Sequence, residues 1–252
     1  MSDSHPISTP ALTNKHLVKL ELPEISTKSY QHALGALMYP MLGTCPDLSY
    51  AIAALGRHAA NPGLDHQRTL EGVFRYLRAT RGKQLVFGQG ASGSSTLFGY
   101  TDADWASDIN DRKSTSGYMF KLAGAAVSWS SKKQTSVALS STEAEYIAGA
   151  HTAKEAIWLR QLLSELGLDM SSPTALHIDN QSAIAIARNP EFHDRTKHID
   201  VCYHFLRQVV EDKSIELEYI PTRDQVADTL TKGLPPASYS KFREEMGVCY
   251  PN

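Results

Sequence analysis

The sequence predicts an α/β fold, a five-stranded mixed sheet flanked by helices and preceded by a small helical region. Three observations carry it. Apolar residues recur at helical spacing between residues 29 and 80, three strand patterns crowd residues 96–131, and helix and strand patterns alternate from 142 onward.

Residues 1–28 mix Pro, Ser, Thr and Lys without a period and read as an extended lead-in. Over 29–90 the pattern is helical. Leu48, Ile52, Leu55 and Ala59 form one apolar stripe, and Leu70, Val73, Phe74 and Leu77 form another at i, i+3, i+4, i+7. Pro46 suits a first helical turn, and Asn61, Pro62 and Gly63 break the pattern. The Gly/Ser-rich run Gly88–Ser95 is a connector by composition and marks a domain boundary. Strands are expected near 96–102, 117–123 and 125–131, the last two joined at Gly124 as in a hairpin, so the sheet begins as a meander. A long helix is expected from Thr142 to Leu166, with Leu159, Leu162, Leu163 and Leu166 on one face and Gly167 as its stop. A strand at 175–179, helices at 180–188 and 197–212, a strand at Ile215–Ile220 and a short helix from Asp224 complete the alternation. Residues 96–234 thus read as one α/β unit and 235–252 as a C-terminal tail.

Composition narrows the possible chemistry. The 252 residues can bury a full core, and 42% hydrophobic with 21% charged residues is ordinary for a globular chain. A net charge of −2 excludes a strongly basic tail, so any nucleic-acid contact has to come from local patches. Cys45, Cys202 and Cys249 are odd in number and far apart, which argues against a disulfide framework and a zinc site and for a reducing interior. There is no charged-then-apolar leader pattern, and no run reaches the roughly 18 apolar residues that span a bilayer. No membrane partner is expected, and the protein is expected inside the cell, in cytoplasm or nucleus.

Four carboxylates stand out: Asp102 in Tyr-Thr-Asp-Ala-Asp-Trp, Glu145 in Ser-Thr-Glu-Ala-Glu-Tyr, Asp179 in His-Ile-Asp-Asn-Gln and Asp228 in Val-Ala-Asp-Thr-Leu-Thr-Lys. Asp102 and Asp179 each follow a short apolar run, which places them at the carboxyl ends of buried strands where a fold can bring them together. Carboxylate oxygens hold Mg²⁺, and two such ions clamp both oxygens of an in-line phosphoryl displacement, so the set points to a magnesium-dependent nuclease. Each has a structural competitor. Thr142-x-x-Glu145 and Ser140-x-x-Glu143 both match a capping box, so either Glu143 or Glu145 can be the ligand, with Glu145 favoured by its place one turn into the helix. Asp179 and Asn180 could simply cap the next helix, and Asp228 lies in a short helix whose default is a solvated face. Asp104 and Asp108 rival Asp102 but fall outside the strand pattern and read as turn or rim residues.

Basic residues surround these positions: Lys113, Lys132, Lys133, Arg188, Arg195, Lys197 and Lys232. Lys132, Lys133, Lys197 and Asn180 are the candidates for nucleic-acid contact, although 25 Lys and Arg must lie somewhere on the surface. Trp129 could stack on a nucleic-acid strand but reads better as core, as does Cys202. His198, in Thr-Lys-His-Ile-Asp, is a candidate proton shuttle.

The motifs Tyr100-Thr-Asp-Ala-Asp-Trp-Ala106, Arg112-Lys-Ser-Thr-Ser-Gly-Tyr118, Ser128-Trp-Ser-Ser-Lys-Lys-Gln134, Leu139-Ser-Ser-Thr-Glu-Ala-Glu-Tyr146, Asp179-Asn-Gln-Ser-Ala183 and Arg195-Thr-Lys-His-Ile-Asp200 resemble, in this order, the ribonuclease H domain of a copia-type retrotransposon polyprotein. Upstream, Leu37–Leu48 and Arg75–Thr80 resemble the thumb and connection region of the preceding reverse transcriptase. The resemblance implies the ribonuclease H fold, with the first three strands of its sheet antiparallel. It also implies metal ligands at Asp102, Glu145, Asp179 and Asp228, two Mg²⁺ ions, with Mn²⁺ as the alternative, and endonucleolytic hydrolysis of the RNA strand of an RNA–DNA hybrid. The implied partners are the hybrid and the reverse transcriptase and integrase parts of a parent polyprotein, and the implied setting is a cytoplasmic virus-like particle or the nucleus. Many cellular ribonucleases H place a histidine in the loop before the last carboxylate. Here that loop is Pro221-Thr-Arg-Asp-Gln225, so His198 or nothing takes its place.

The chain contains no adjacent Asp-Asp pair, so no polymerase activity is expected, and it shows no zinc-binding His/Cys cluster of an integrase. It therefore reads as a C-terminal piece of a polyprotein or of a truncated element. The competing functions are a catalytically inactive, nucleic-acid-binding remnant and a DNA nuclease built on the same carboxylates.

Overall fold

Helix α1 spans Thr27–Gly43, α2 Ser49–Gly56 and α3 Leu64–Ala79 in this computed structural model, which describes residues 4–11, 17–88, 96–189 and 200–251. Ser26 caps α1 with its side-chain oxygen, accepting from Ser29 N. Pro46 opens a 3₁₀ turn into α2, and the expected break falls at Gly63, whose N–H donates to His66 Nδ1 at 2.8 Å at the start of α3. Among the described residues no helix is long and apolar enough to cross a membrane.

The sheet comprises β2 (Phe98–Asp104), β3 (Thr115–Leu122), β4 (Ala125–Lys133), β5 (Thr174–Ile178) and β6 (Ile215–Tyr219), after a two-residue strand β1 (Gln84–Leu85) that lies apart from it. Its order is β4-β3-β2-β5-β6, with β2, β3 and β4 antiparallel and β5 and β6 parallel to β2. This is the ribonuclease H-like topology, a five-stranded mixed sheet whose first three strands form a meander. The β3–β4 turn needs positive φ at both central residues, and Ala123 (51°) and Gly124 (90°) supply it. Helix α4 (Ser141–Glu165) ends at Gly167, where φ is 85°. Helices α5 (Gln181–Arg188) and α6 (Asp200–Glu211) make the crossover from β5 to β6.

Strand alternation divides the core in two. Phe120, Leu176, Ile178 and Leu217 face α4, α5 and α6 and pack with Tyr146 and Leu206, whereas Tyr100, Met119 and Ala126 face the opposite way. There they meet Leu34, Leu37, Leu55, Val73 and Tyr76 of the helical region. The helical region therefore covers one face of the sheet, and the two share a single core.

Two expectations are corrected. The short helix from Asp224 is instead a pair of 3₁₀ turns, Thr222–Asp224 and Val226–Leu230. Gln225 breaks it: its side chain is drawn inward, with Nε2 donating to Thr101 O at 2.9 Å and Oε1 accepting from Ala227 N at 3.3 Å. The segment expected as a tail is folded, with α7 at Pro236–Glu245 and β7 at Val248–Cys249 paired antiparallel with β1. It is held by a buried polar knot. Tyr76 and Tyr239 hydroxyls donate to Asp47 Oδ2 and Asp47 O, each at 2.5 Å, with Arg243 against Tyr76.

Candidate metal centre

Strand β2 leaves Asp102 two residues from its end, and β5 delivers Asp179 one residue past its own. Because β2 and β5 are adjacent and parallel, their carboxyl ends lie side by side. The first turn of α4 adds Glu145. One carboxylate oxygen from each of Asp102, Glu145 and Asp179 lies within 4.8 Å of the others. Asp102 and Glu145 are buried, at 2% and 6% exposure, and Asp179 is half-buried.

The alternatives left open by the sequence separate cleanly in position. Glu143 does the capping: Ser140 Oγ accepts from Glu143 N at 3.1 Å, and Glu143 Oε2 accepts from Leu139 N at 2.8 Å. Glu145 is turned inward, and its buried Oε2 has no hydrogen-bond partner. In the same way Asn180 Oδ1 caps α5, accepting from Ala183 N at 3.0 Å, which leaves Asp179 free of that duty.

Asp228 stands beside this trio rather than within it. Buried on the 3₁₀ turn Val226–Leu230, it faces Asp102 and forms an ion pair with Lys232, Oδ1 to Nζ 2.8 Å. Burial and then the Asp102 charge push its pKa up to about 8. Burial, Asp102 and Asp179 likewise hold Glu145 well above the usual carboxylate range, and burial raises Asp179 despite its hydrogen bond with Thr222. Lys232 is held above its ordinary value: burial opposes its charge, and the carboxylates of Asp102 and Asp228 outweigh that.

Hydroxyl groups that sequence reasoning missed orient the acids. Thr231 Oγ1 donates to Asp102 Oδ2, and Thr222 Oγ1 donates to Asp179 Oδ2 at 2.7 Å. The i, i+4 spacing of Asp228 and Lys232 was a legible signal for their pairing. The donor set is oxygen only, crowded with like charge and short of counter-charge, and one buried carboxylate oxygen is unpartnered. Those properties suit a hard divalent cation.

The remaining candidates scatter. Lys133 is occupied by Asp108 at 2.6 Å and Asp111 at 2.7 Å. Although burial works against its charge, hydrogen bonds from Lys133 and Asn110 hold Asp108 down to about 2, so Asp108 is a structural hub away from the trio. Arg188 donates to Leu217 O, and Trp129 donates to Met41 O at 3.0 Å within the core next to the helical region. Lys132 is exposed on β4. Arg195, Lys197 and His198 lie outside the described residues.

No protein-family model matches the chain. It is 42% identical to the Retrovirus-related Pol polyprotein from transposon TNT 1-94 of Nicotiana tabacum, across 98% of this chain and 19% of that protein. It is 39% identical to the corresponding protein from transposon RE2 of Arabidopsis thaliana, across 98% of this chain and 17% of that one. The chain thus spans about a fifth of the length of these curated relatives. Among solved structures it is similar to the N-terminal RNase H domain of rv2228c from Mycobacterium tuberculosis, at 12% identity and a TM-score of 0.41 over 60% of this chain and 98% of that one.

Proposed function

We propose that this chain, which belongs to the Pol polyprotein family of copia-type retrotransposons, hydrolyses the RNA strand of RNA–DNA hybrids as an endonuclease. The observation that supports this most is the convergence of Asp102, Glu145 and Asp179 at the carboxyl ends of two parallel strands. Asp102, Glu145 and Asp179, with Asp228 beside them, would hold two Mg²⁺ ions, or Mn²⁺. Bound there, divalent ions supply Lewis acidity toward the scissile phosphate and lower the pKa of water.

The chain's own residues arrange the rest. Thr231 and Thr222 fix the rotamers of Asp102 and Asp179, so the carboxylates are set before substrate arrives. Lys232 offsets part of the charge that four acids would otherwise accumulate. Hydrolysis that leaves 5′-phosphate and 3′-hydroxyl ends is the expected outcome, and contacts to 2′-hydroxyls across the shallow groove would choose the RNA strand with little regard to sequence. The reading extends to a setting inside the cell, beside the reverse transcriptase and integrase parts of a parent polyprotein.

The deciding experiment offers the purified chain a labelled RNA–DNA hybrid with and without Mg²⁺, next to duplex DNA and duplex RNA. Metal-dependent cutting confined to the RNA of the hybrid is expected. A folded, metal-supplied chain that cuts nothing would refute the proposal, and equal cutting of duplex DNA would make it a DNA nuclease.

A further inference from the structure

Asp102 and Glu145 sit near the end of β2 and the start of α4, and a single side chain joins the loops beyond those two points. Trp105 immediately follows β2, and its Nε1 donates to Ala138 O at 3.0 Å. Ala138 belongs to the loop between β4 and α4, shortly before the Ser140 cap of the helix. The indole is no core side chain, since it stays 47% exposed. A buried tryptophan is placed by packing, whereas this one is placed by its N–H.

The contact between strand end and helix start is otherwise weak in direction. It is a small cluster of Ala103, Ala138, Ala144, Ile147 and Ala148, with Ala103 next to Asp102 and Ala144 next to Glu145. Alanine lets backbones approach closely, but a methyl group buries little area and prefers no orientation. Further along, α4 is anchored to β2 where Thr152 Oγ1 donates to Thr101 Oγ1 at 2.8 Å. Glu145 lies nearer the helix start than that anchor. There Gln134 Nε2 donates to Ala144 O at 2.9 Å and to Ser116 Oγ at 2.8 Å, which ties the helix to β3. Glu145 accepts from the Ala103 N–H, a bond within the site itself. Outside the site, the Trp105 bond reaches the loop, whose Val137 and Leu139 are exposed on either side of buried Ala138. The loop that bears Trp105 is firm enough to act as a brace. Ala106 takes a φ of 51°, in the left-handed region that strains an alanine, and its N–H is held by Ser114 Oγ at 3.1 Å. Asp108 clamps the same loop to Lys133 at 2.6 Å and to Arg57 at 3.4 Å.

We propose that Trp105 is a positioning residue for the metal centre: its N–H bond to Ala138 braces the start of α4 against the end of β2 and so sets the spacing of Asp102 and Glu145 for a divalent cation. It rests on the proposed nuclease only for what the carboxylates hold. The indole touches neither ion nor substrate in this role. It acts through the backbone that carries the ligands, as outer partners of metal sites do.

The test compares wild type with Trp105→Phe, which keeps an aromatic ring and removes the donor. Trp158→Phe, at an exposed position in the second half of α4, is the control. In EDTA, amide hydrogen exchange over residues 138–147 is expected to quicken about three- to tenfold in Trp105→Phe, the scale of one lost hydrogen bond, and to stay unchanged in the control. Calorimetric titration with Mg²⁺ is expected to give Trp105→Phe a Kd about tenfold higher. In hybrid cleavage the Mg²⁺ concentration for half-maximal rate should shift by the same factor, while kcat at saturating Mg²⁺ and KM for the hybrid hold. Unchanged exchange, or an unchanged Kd for Mg²⁺, overturns the proposal. So does a raised KM at unchanged Mg²⁺ affinity, which would make the half-exposed indole a substrate contact. A wild-type chain that takes up no Mg²⁺ refutes the nuclease reading instead, and the exchange comparison in EDTA still decides whether the brace exists.

Discussion

Replacing Asp102 with asparagine should stabilise the metal-free protein while removing the proposed hybrid cleavage. The exchange is isosteric, and the asparagine oxygen can still accept from Thr231 Oγ1. What disappears is one negative charge from a group whose oxygens approach within 4.8 Å. Two unit charges at about that distance repel by about 3.5 kcal/mol in an effective permittivity of about 20. Burial and mutual repulsion already push Glu145 and Asp228 toward their protonated forms, and the substitution also gives up the attraction between Asp102 and Lys232, which together offset part of this. The expected net gain is therefore about 1–2 kcal/mol, or a rise in Tm of about 2–8 °C for a chain of this size. With Mg²⁺ the order should reverse. At about one hundred times its Kd the ion adds about 2.7 kcal/mol to a protein that binds it, and the variant should gain almost nothing. Thermal unfolding of both proteins in EDTA and in Mg²⁺, alongside hybrid cleavage, gives the four values needed. A variant less stable than wild type in EDTA, or equally stabilised by Mg²⁺, would refute the electrostatic reasoning.

Three further outcomes follow from the same structure. The pKa of Asp228 is pushed up to about 8, above an unfolded value of about 4, so the folded chain holds an extra proton between those limits. The contribution of Asp228 to metal-free stability should be greatest below about pH 4 and fall as pH rises through the window to about 8, by at most about 1.4 kcal/mol per pH unit. Urea unfolding in EDTA should show that slope flattened in Asp228→Asn, and identical slopes would contradict it. Glu143→Gln should retain cleavage and lose no more than about 1 kcal/mol of stability, because the amide oxygen still accepts from Leu139 N. Glu145→Gln should lose about a thousandfold in cleavage rate, the scale of several kcal/mol of metal-borne stabilisation, and the opposite pattern would make Glu143 the ligand. Tyr76→Phe strips a donor from the buried Asp47 carboxylate and should cost about 2–3 kcal/mol, read as a fall in Tm of about 4–12 °C; a fall of under about 2 °C would show the knot to be dispensable.

The strands and helices of the sheet layer were legible because their periodicity is local. The short apolar run Leu97–Tyr100 marks β2, and Gly167 marks the end of α4 within a residue or two. The segment after β6 was not, because Gln225 takes its conformation from Thr101, more than a hundred residues away in sequence. Nor was the folding of residues 236–249: α7 is short and its apolar positions are few, so the case for it lies in Asp47, Tyr76 and β1, which no local window contains. At the candidate site Asp102 and Asp179 could be read from their strand-end positions and Asp228 chiefly through the resemblance, yet which glutamate caps and which turns inward needed the geometry of Ser140 and Leu139. Thr231 and Thr222 carry no sequence signal of their own. Their roles come from where the turns after β6 return the chain.

The shared core beneath the sheet makes the helical region and the α/β layer one thermodynamic unit. Leu34, Leu55 and Val73 pack in the same cluster as Met119, Ala126, Phe242 and Met246, and β1 is stitched to β7 on the far side of the α/β layer in sequence. Calorimetry should accordingly record one cooperative transition, with van't Hoff and calorimetric enthalpies in agreement, where two independent domains would give two. Severing the chain between Gly88 and Thr96 would not liberate an autonomous α/β layer, since the pieces would remain clamped together through that common interior. A perturbation in either the helical region or the α/β layer is therefore felt across the shared core.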